Sequence, residues 1–244
     1  MAKLRKDLNI HFKGKSGDLV IKLNGKIIFP YQEEQPKKPV NPNKLKTQLK
    51  TGVAAAFSGA VNRIPLLQET WKRWPVKSRT PYRNILAANM KRCNAEHPTT
   101  ENLICPPSTE RLTEILAQIN TEGITVTIPP LSEMIELREK EKTITAVGVF
   151  SAFSPSKKKY ESCSIYPLYS AVNKFAASED LTITFVIRAP MAQNLSNYER
   201  GYLYFTILIG DSDGNTKRWF RNVVEEYLIQ NDEDGNFKEC VKVV

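Results

Sequence analysis

The sequence predicts an α+β protein: an N-terminal β-meander plus a small helical segment, followed by an antiparallel Ig/fibronectin-like β-sandwich. Three observations carry that prediction. Asn24-Gly25 lies between two alternating stretches and is a strong hairpin signal, because a type I′ turn needs positive φ at both central residues. Leu45, Leu49, Val53, Phe57 and Val61 recur every four residues, an apolar stripe of helical period. Beyond residue 123, seven short β-forming runs are separated by clusters of turn residues, the pattern of a sandwich.

Taken in order, residues 9–13 alternate, 14–18 supply a glycine-containing turn, and Leu19, Ile21 and Leu23 share one face of the next strand. Ile27 and Phe29 lie on the returning strand, which stops at Pro30. A meander this small needs a partner to lean on. Residues 31–43 are proline-rich and extended, ending in Asn41 as N-cap and Pro42 at the first helical position. The helix that follows is small-sided: Gly52, Ala56 and Gly59 allow close approach by another helix or strand. A short helix over 66–74 is ended by Pro75, and Thr80-Pro81 starts another carrying Ile85, Leu86, Asn89 and Met90 on one side.

The next run, with Leu112, Ile115, Leu116 and Ile119 at i, i+3, i+4 and i+7 and Gly123 as the stop, reads as a helix. Strands are expected over 124–128, 143–153, 160–166, 181–188, 202–210, 216–224 and 237–243. Three segments result: a basic hairpin and helical docking domain over 1–94, a linker and helix over 95–122, and the sandwich over 123–244. The polar, proline-containing stretch 95–108 and a break in charge both favour a boundary near Cys93. Up to residue 92 there are 20 Lys and Arg against 5 Asp and Glu, and beyond it 15 against 21. Such opposite signs suit contact with a polyanion or head-to-tail contact between copies.

With 41% hydrophobic and 25% charged residues, collagen-like, disordered and coiled-coil classes are excluded. No apolar run approaches the ~20 residues of a membrane span, and the charged start has no apolar signal core. The expectation is a chain made in the cytoplasm without a signal peptide, with a virion or other assembled particle as a further destination. Cys93, Cys105, Cys163 and Cys240 are too scattered for a zinc cage or a disulfide framework, so reduced thiols are expected.

Candidate chemistry is sparse. Asp211 and Asp213 in DSDGN, and Asp232 and Asp234 in DEDGN, resemble part of a calcium loop, yet lack its third oxygen donor and closing Glu. A hairpin turn explains both motifs better, so no metal or cofactor is expected. Lys44, Lys46, Lys50, Lys72, Arg73, Lys77, Arg79 and Arg83, near Trp71, Trp74 and Tyr82, would suit nucleic acid. The competing reading is a solvated basic face over a helical core holding both tryptophans. His11 and His97 have no nucleophile beside them, and Glu136, Glu139 and Glu141 alternate with basic residues in what reads as a solvated linker. No enzyme motif is present.

The run GKSGDLVIKLNGK at 14–26, Asn41-Pro42 followed by Gln48, Trp74, and the 82–89 helix together resemble the opening of a family of uncharacterised Bacteroidetes proteins, and are similar to phage-encoded structural proteins. The resemblance covers about the first 92 residues and departs at Phe29-Pro30-Tyr31 and at Lys50, where a basic residue and an arginine are usual. It implies C-terminal Ig-like β domains and a structural role, and carries over no catalytic residues. The expected function is a non-enzymatic virion or surface-appendage component that forms oligomers with itself or other structural subunits. Its interface would use Leu19, Ile21, Leu23, Ile27, Phe29, Gly52, Ala56 and Gly59. Nucleic-acid binding through the basic segment is the alternative.

Overall fold

The computed structural model describes residues 42–74, 80–112, 115–136, 138–155, 163–170, 173–174 and 178–243. The expected hairpin residues Leu19, Ile21, Leu23, Ile27 and Phe29, and the basic residues Lys77 and Arg79, lie outside them.

Three helices open the described chain: α1 (Pro42–Asn62), α2 (Pro65–Arg73) and α3 (Pro81–Asn89). Each begins on a proline, where the missing N–H leaves nothing unsatisfied. Thr80 caps α3 as its sequence foretells, its hydroxyl accepting from the Arg83 N–H at 3.3 Å. The strands are β1 (Leu116–Asn120), β2 (Gly123–Ile128), β3 (Thr143–Phe153), β4 (Cys163–Tyr169), β5 (Asn173–Lys174), β6 (Leu181–Val186), β7 (Arg200–Gly210), β8 (Thr216–Trp219), β9 (Val223–Asn231) and β10 (Phe237–Lys242). Two short helices, α4 (Leu131–Met134) and α5 (Ala189–Leu195), join β2 to β3 and β6 to β7.

The ten strands make one antiparallel sheet in the order β4-β3-β7-β9-β10-β1-β2-β6, with β5 continuing β4 beside β3 and β8 preceding β9 beside β7. An immunoglobulin sandwich divides its strands between two separately hydrogen-bonded sheets. Here one ladder runs through and the sheet coils until its halves face each other. Ile124, Val126, Ile128, Ile183 and Phe185 from the β2–β6 end pack over Phe150, Leu203, Phe205 and Ile207 from β3 and β7. The Phe185 and Phe205 rings meet edge to face at 6.3 Å.

The helices cover the opposite face of β3 and β7. Phe57, Val61, Ile64, Leu67, Trp71 and Ile85 pack on Val147, Val149, Tyr204 and Leu208 as a second core. With apolar layers on both sides, all eleven residues of β3 are buried, which is why its sequence is a nearly unbroken apolar run.

Two expectations are corrected. Residues 116–119 form β1 and not a helix. The helical spacing is broken by exposure, Ile119 being 2% exposed and Leu116 71%. The Asn120 side chain accepts from the Glu122 and Gly123 N–H groups at 2.9 and 3.1 Å, turning the chain sharply into β2. The stretch from Asn94 to Ser108 is likewise no linker between domains. Asn102, Leu103, Ile104 and Cys105 are buried between helices and sheet. Trp71 Nε1 donates to Ile104 O at 2.9 Å on one side, and Tyr204 Oη to Thr99 O at 2.8 Å and Trp219 Nε1 to Pro106 O at 3.1 Å on the other. Residues 42–244 therefore form one compact unit, and the charge break at Cys93 marks no structural boundary.

Candidate functional site

The apolar stripe of α1 is only partly spent on the core. Val53, Phe57 and Val61 are buried, whereas Leu45 is 44% exposed and Ala56 also faces solvent. Beside β4 this leaves an apolar groove of about 390 Å³, lined by Leu45, Leu49, Gly52, Val53, Ala56 and Ile165, with Gln48 and Cys163 at its margins. A Cβ added at Gly52 or at Gly59 would meet no atom within 4 Å. Of the expected small-residue interface, Gly52 and Ala56 thus line one groove, while Gly59, also on α1, has open space and lies outside that lining.

The described basic candidates are spread over α1, α2 and α3. Lys44 and Lys46 occupy the exposed first turns of α1, and Lys50 Nζ donates to Lys91 O at 3.4 Å. Lys72 pairs with Glu69 at 3.8 Å, and Arg73 donates to Thr216 O at 2.5 Å, tying α2 to β8. Arg83 is exposed on α3. Trp71 is 1% exposed, and Trp74, half-buried, packs against the helical core.

Both D-x-D-G-N motifs are hairpin turns. Asp211 Oδ1 accepts from the Asp213 and Asn215 N–H groups at 3.0 and 2.9 Å, and Lys217 Nζ sits 3.0 Å from its other oxygen. These partners, Lys217 foremost, lower the Asp211 carboxyl from 3.8 to about 2. Asp232 repeats the turn, accepting from Asn236 N–H at 2.7 Å. Gly214 and Gly235 supply φ of 78° and 80°. Asp213 and Asp234 stand in the same exposed turns, and among the described residues no three acidic, thiol or imidazole groups are placed to hold a metal ion.

Two buried charge clusters escaped the sequence reading. Glu141, expected in a solvated linker, is 7% exposed, and its Oε2 accepts from Arg218 Nη2 at 2.5 Å and from the Arg138 N–H at 2.9 Å. Arg218 also donates to Glu136 O at 3.1 Å and faces Glu110 at 3.4 Å, latching the segment before β3 onto β8 beside a polar cleft of about 700 Å³. On β9, Glu225 accepts from Tyr227 Oη and Lys242 Nζ, both at 2.5 Å. Burial and the Glu225 carboxylate push the Tyr227 phenol far up, so it stays protonated as a donor. The only signal for either cluster was an acid at an inward-facing position, unreadable before the strand registers were known.

Reactive groups are occupied or muted. His97 stacks on Phe153 with centroids 4.0 Å apart, its Nδ1–H donating to Pro98 O at 2.6 Å and its Nε2 accepting from Asn94 Nδ2 at 3.1 Å. Burial lifts the thiols, Cys105 and Cys240 to about 12 and Cys163 to about 11, away from thiolate chemistry. Among the described residues no helix is long and apolar enough to cross a membrane. Comparison with protein-family models, curated proteins and solved structures finds no match.

Proposed function

We propose that the chain is a non-enzymatic assembly protein, a structural component of a virion or surface appendage, that seats an apolar helix of a neighbouring copy in the α1–β4 groove. The observation that carries this reading is the groove itself. Leu45 and Leu49 offer apolar walls, and Gly52 and Ala56, one turn apart, let a second helix come close to the backbone of α1. The opposite charges before and after residue 92 favour such head-to-tail contact between copies. The engagement of His97 and the muted thiols supports a role without chemistry. The β region enters this reading only as two facing halves of one antiparallel sheet, which by themselves carry no function.

The test is a photo-crosslinking residue at Gln48, on the groove margin, in the full chain at low salt. Intermolecular crosslinks are expected at tens of micromolar, and Ala56→Arg, which places a charge in the groove, should abolish them without altering the melting temperature. A chain that gives no crosslink, or the same yield with Ala56→Arg, overturns the reading.

A further inference from the structure

Among the described residues the sheet has two edges, and they are defended very differently. At one, β4 carries Pro167, which lacks a donor, is interrupted at Ser170 before β5, and is flanked by α1. At the other, β6 pairs only with β2 among the described residues, in an unbroken register from Gly123↔Val186 to Ile128↔Leu181. Its sequence LTITFV has no proline, no charge and no bulge, the devices by which proteins blunt an edge. Val186, its last residue, is 74% exposed. An edge this regular is a template for another strand.

We propose that the edge of β6, open among the described residues, pairs antiparallel with β6 of a second copy, about a two-fold axis at Thr184. Side chains alternate strictly along β6, Ile183 and Phe185 inward and Thr182, Thr184 and Val186 outward. Only registers that keep inward residues opposite inward residues are therefore allowed. Among these, centring on Thr184 sets Asp180 opposite Arg188 of the partner subunit twice over. It also places Thr182 against Val186 of the partner subunit, and Ile183 against Phe185 of the partner subunit. Asp180 and Arg188 are exposed, and neither makes an ion pair with a described residue. Centring on Ile183 instead would set Asp180 against Val186 and leave Arg188 unmatched. The outward face already holds a threonine ladder, with hydroxyls 3.2 Å apart at Thr125 and Thr184 and 3.3 Å apart at Thr127 and Thr182. The two-fold continues that ladder into the second copy. The self-complementary charges select the partner: a second copy of this chain and not an arbitrary strand.

This inference extends the assembly reading to a second surface and does not rest on the groove. It is tested in the full chain carrying Ala56→Arg, so that groove contacts are silenced. Sedimentation at tens of micromolar should give twice the 27.7 kDa chain mass. Thr184→Lys, which sets two lysines across the axis on an exposed face, should give a monomer with unchanged melting. Asp180→Arg should weaken the dimer at least tenfold, and adding Arg188→Asp should restore it. Under mild oxidation Thr184→Cys should form a covalent dimer and Thr182→Cys should not. A monomer in the Ala56→Arg chain overturns this proposal and leaves the Gln48 crosslinks to judge the groove. A dimer indifferent to Thr184→Lys, or one crosslinked through position 182 instead of 184, overturns it too.

Discussion

At the scale of single residues, the join between helices and sheet depends on buried amides. Asn89, fully buried, donates to Ile85 O and Leu103 O at 3.0 and 2.9 Å and accepts from the Leu103 N–H and Asn102 Nδ2 at 2.8 and 2.9 Å. Asn102 O in turn accepts from Asn222 Nδ2 at 3.1 Å, carrying the network to the gap between β8 and β9. A buried donor or acceptor left unpaired costs about 1–3 kcal/mol. Asn89→Ala should therefore lower stability by about 3 kcal/mol, read as a lower denaturant midpoint at unchanged slope, and Asn89→Asp should rescue little because a carboxylate cannot donate. Only the place of Asn89 beside Ile85 on one side of α3 was legible beforehand, not its partners. Asparagine in a polar, proline-flanked stretch reads as loop surface, and only the folded chain puts Asn89, Asn102 and Asn222 together across more than a hundred residues. Thr80-Pro81 was legible, because a helix cap acts within four residues.

At the scale of elements, local chemistry was the better guide. The two D-x-D-G-N turns were readable because carboxylate, glycine and following amide close the hairpin among themselves. Residues 116–119 were misread because they are held from both sides as a strand: Ile119 lies opposite Ile124 of β2, close in the chain, and opposite Cys240 of β10, far along it. Pairing overrode a helical spacing that had nothing to pack against. The β7–β8 turn also has a pH signature. Because Asp211 is held near 2 when folded against an ordinary 3.8, its contribution is complete above about pH 4 and is lost as pH falls through 2. Asp211→Asn should flatten the fall of melting temperature between pH 4 and 2; an acid limb of unchanged steepness would show that other carboxylates govern it.

At the scale of the whole molecule, net charge misled about where the chain divides. Charge belongs to surfaces, so its break at residue 92 says nothing about which faces are buried together. The alternation of Leu203, Phe205, Ile207 and Ile209 along β7 suggests one buried and one exposed face, yet residues 203–210 are buried throughout because the helices cover the second face. A chain begun at residue 95 would lay Val147, Val149, Tyr204 and Leu208 bare to water. It should bind a hydrophobic dye and lose cooperative melting; a sharp transition in that fragment would refute a shared core. Strands that are apolar on both sides have given up the usual guide to alignment, because sliding one past the other exposes nothing new. Glycine takes over that duty here. A Cβ at Gly201 would lie 2.4 Å from the Phe150 ring, and one at Gly148 would lie 2.8 Å from Tyr204 O. These two notches admit β3 and β7 in one alignment alone, much as the cuts of a key admit one set of pins.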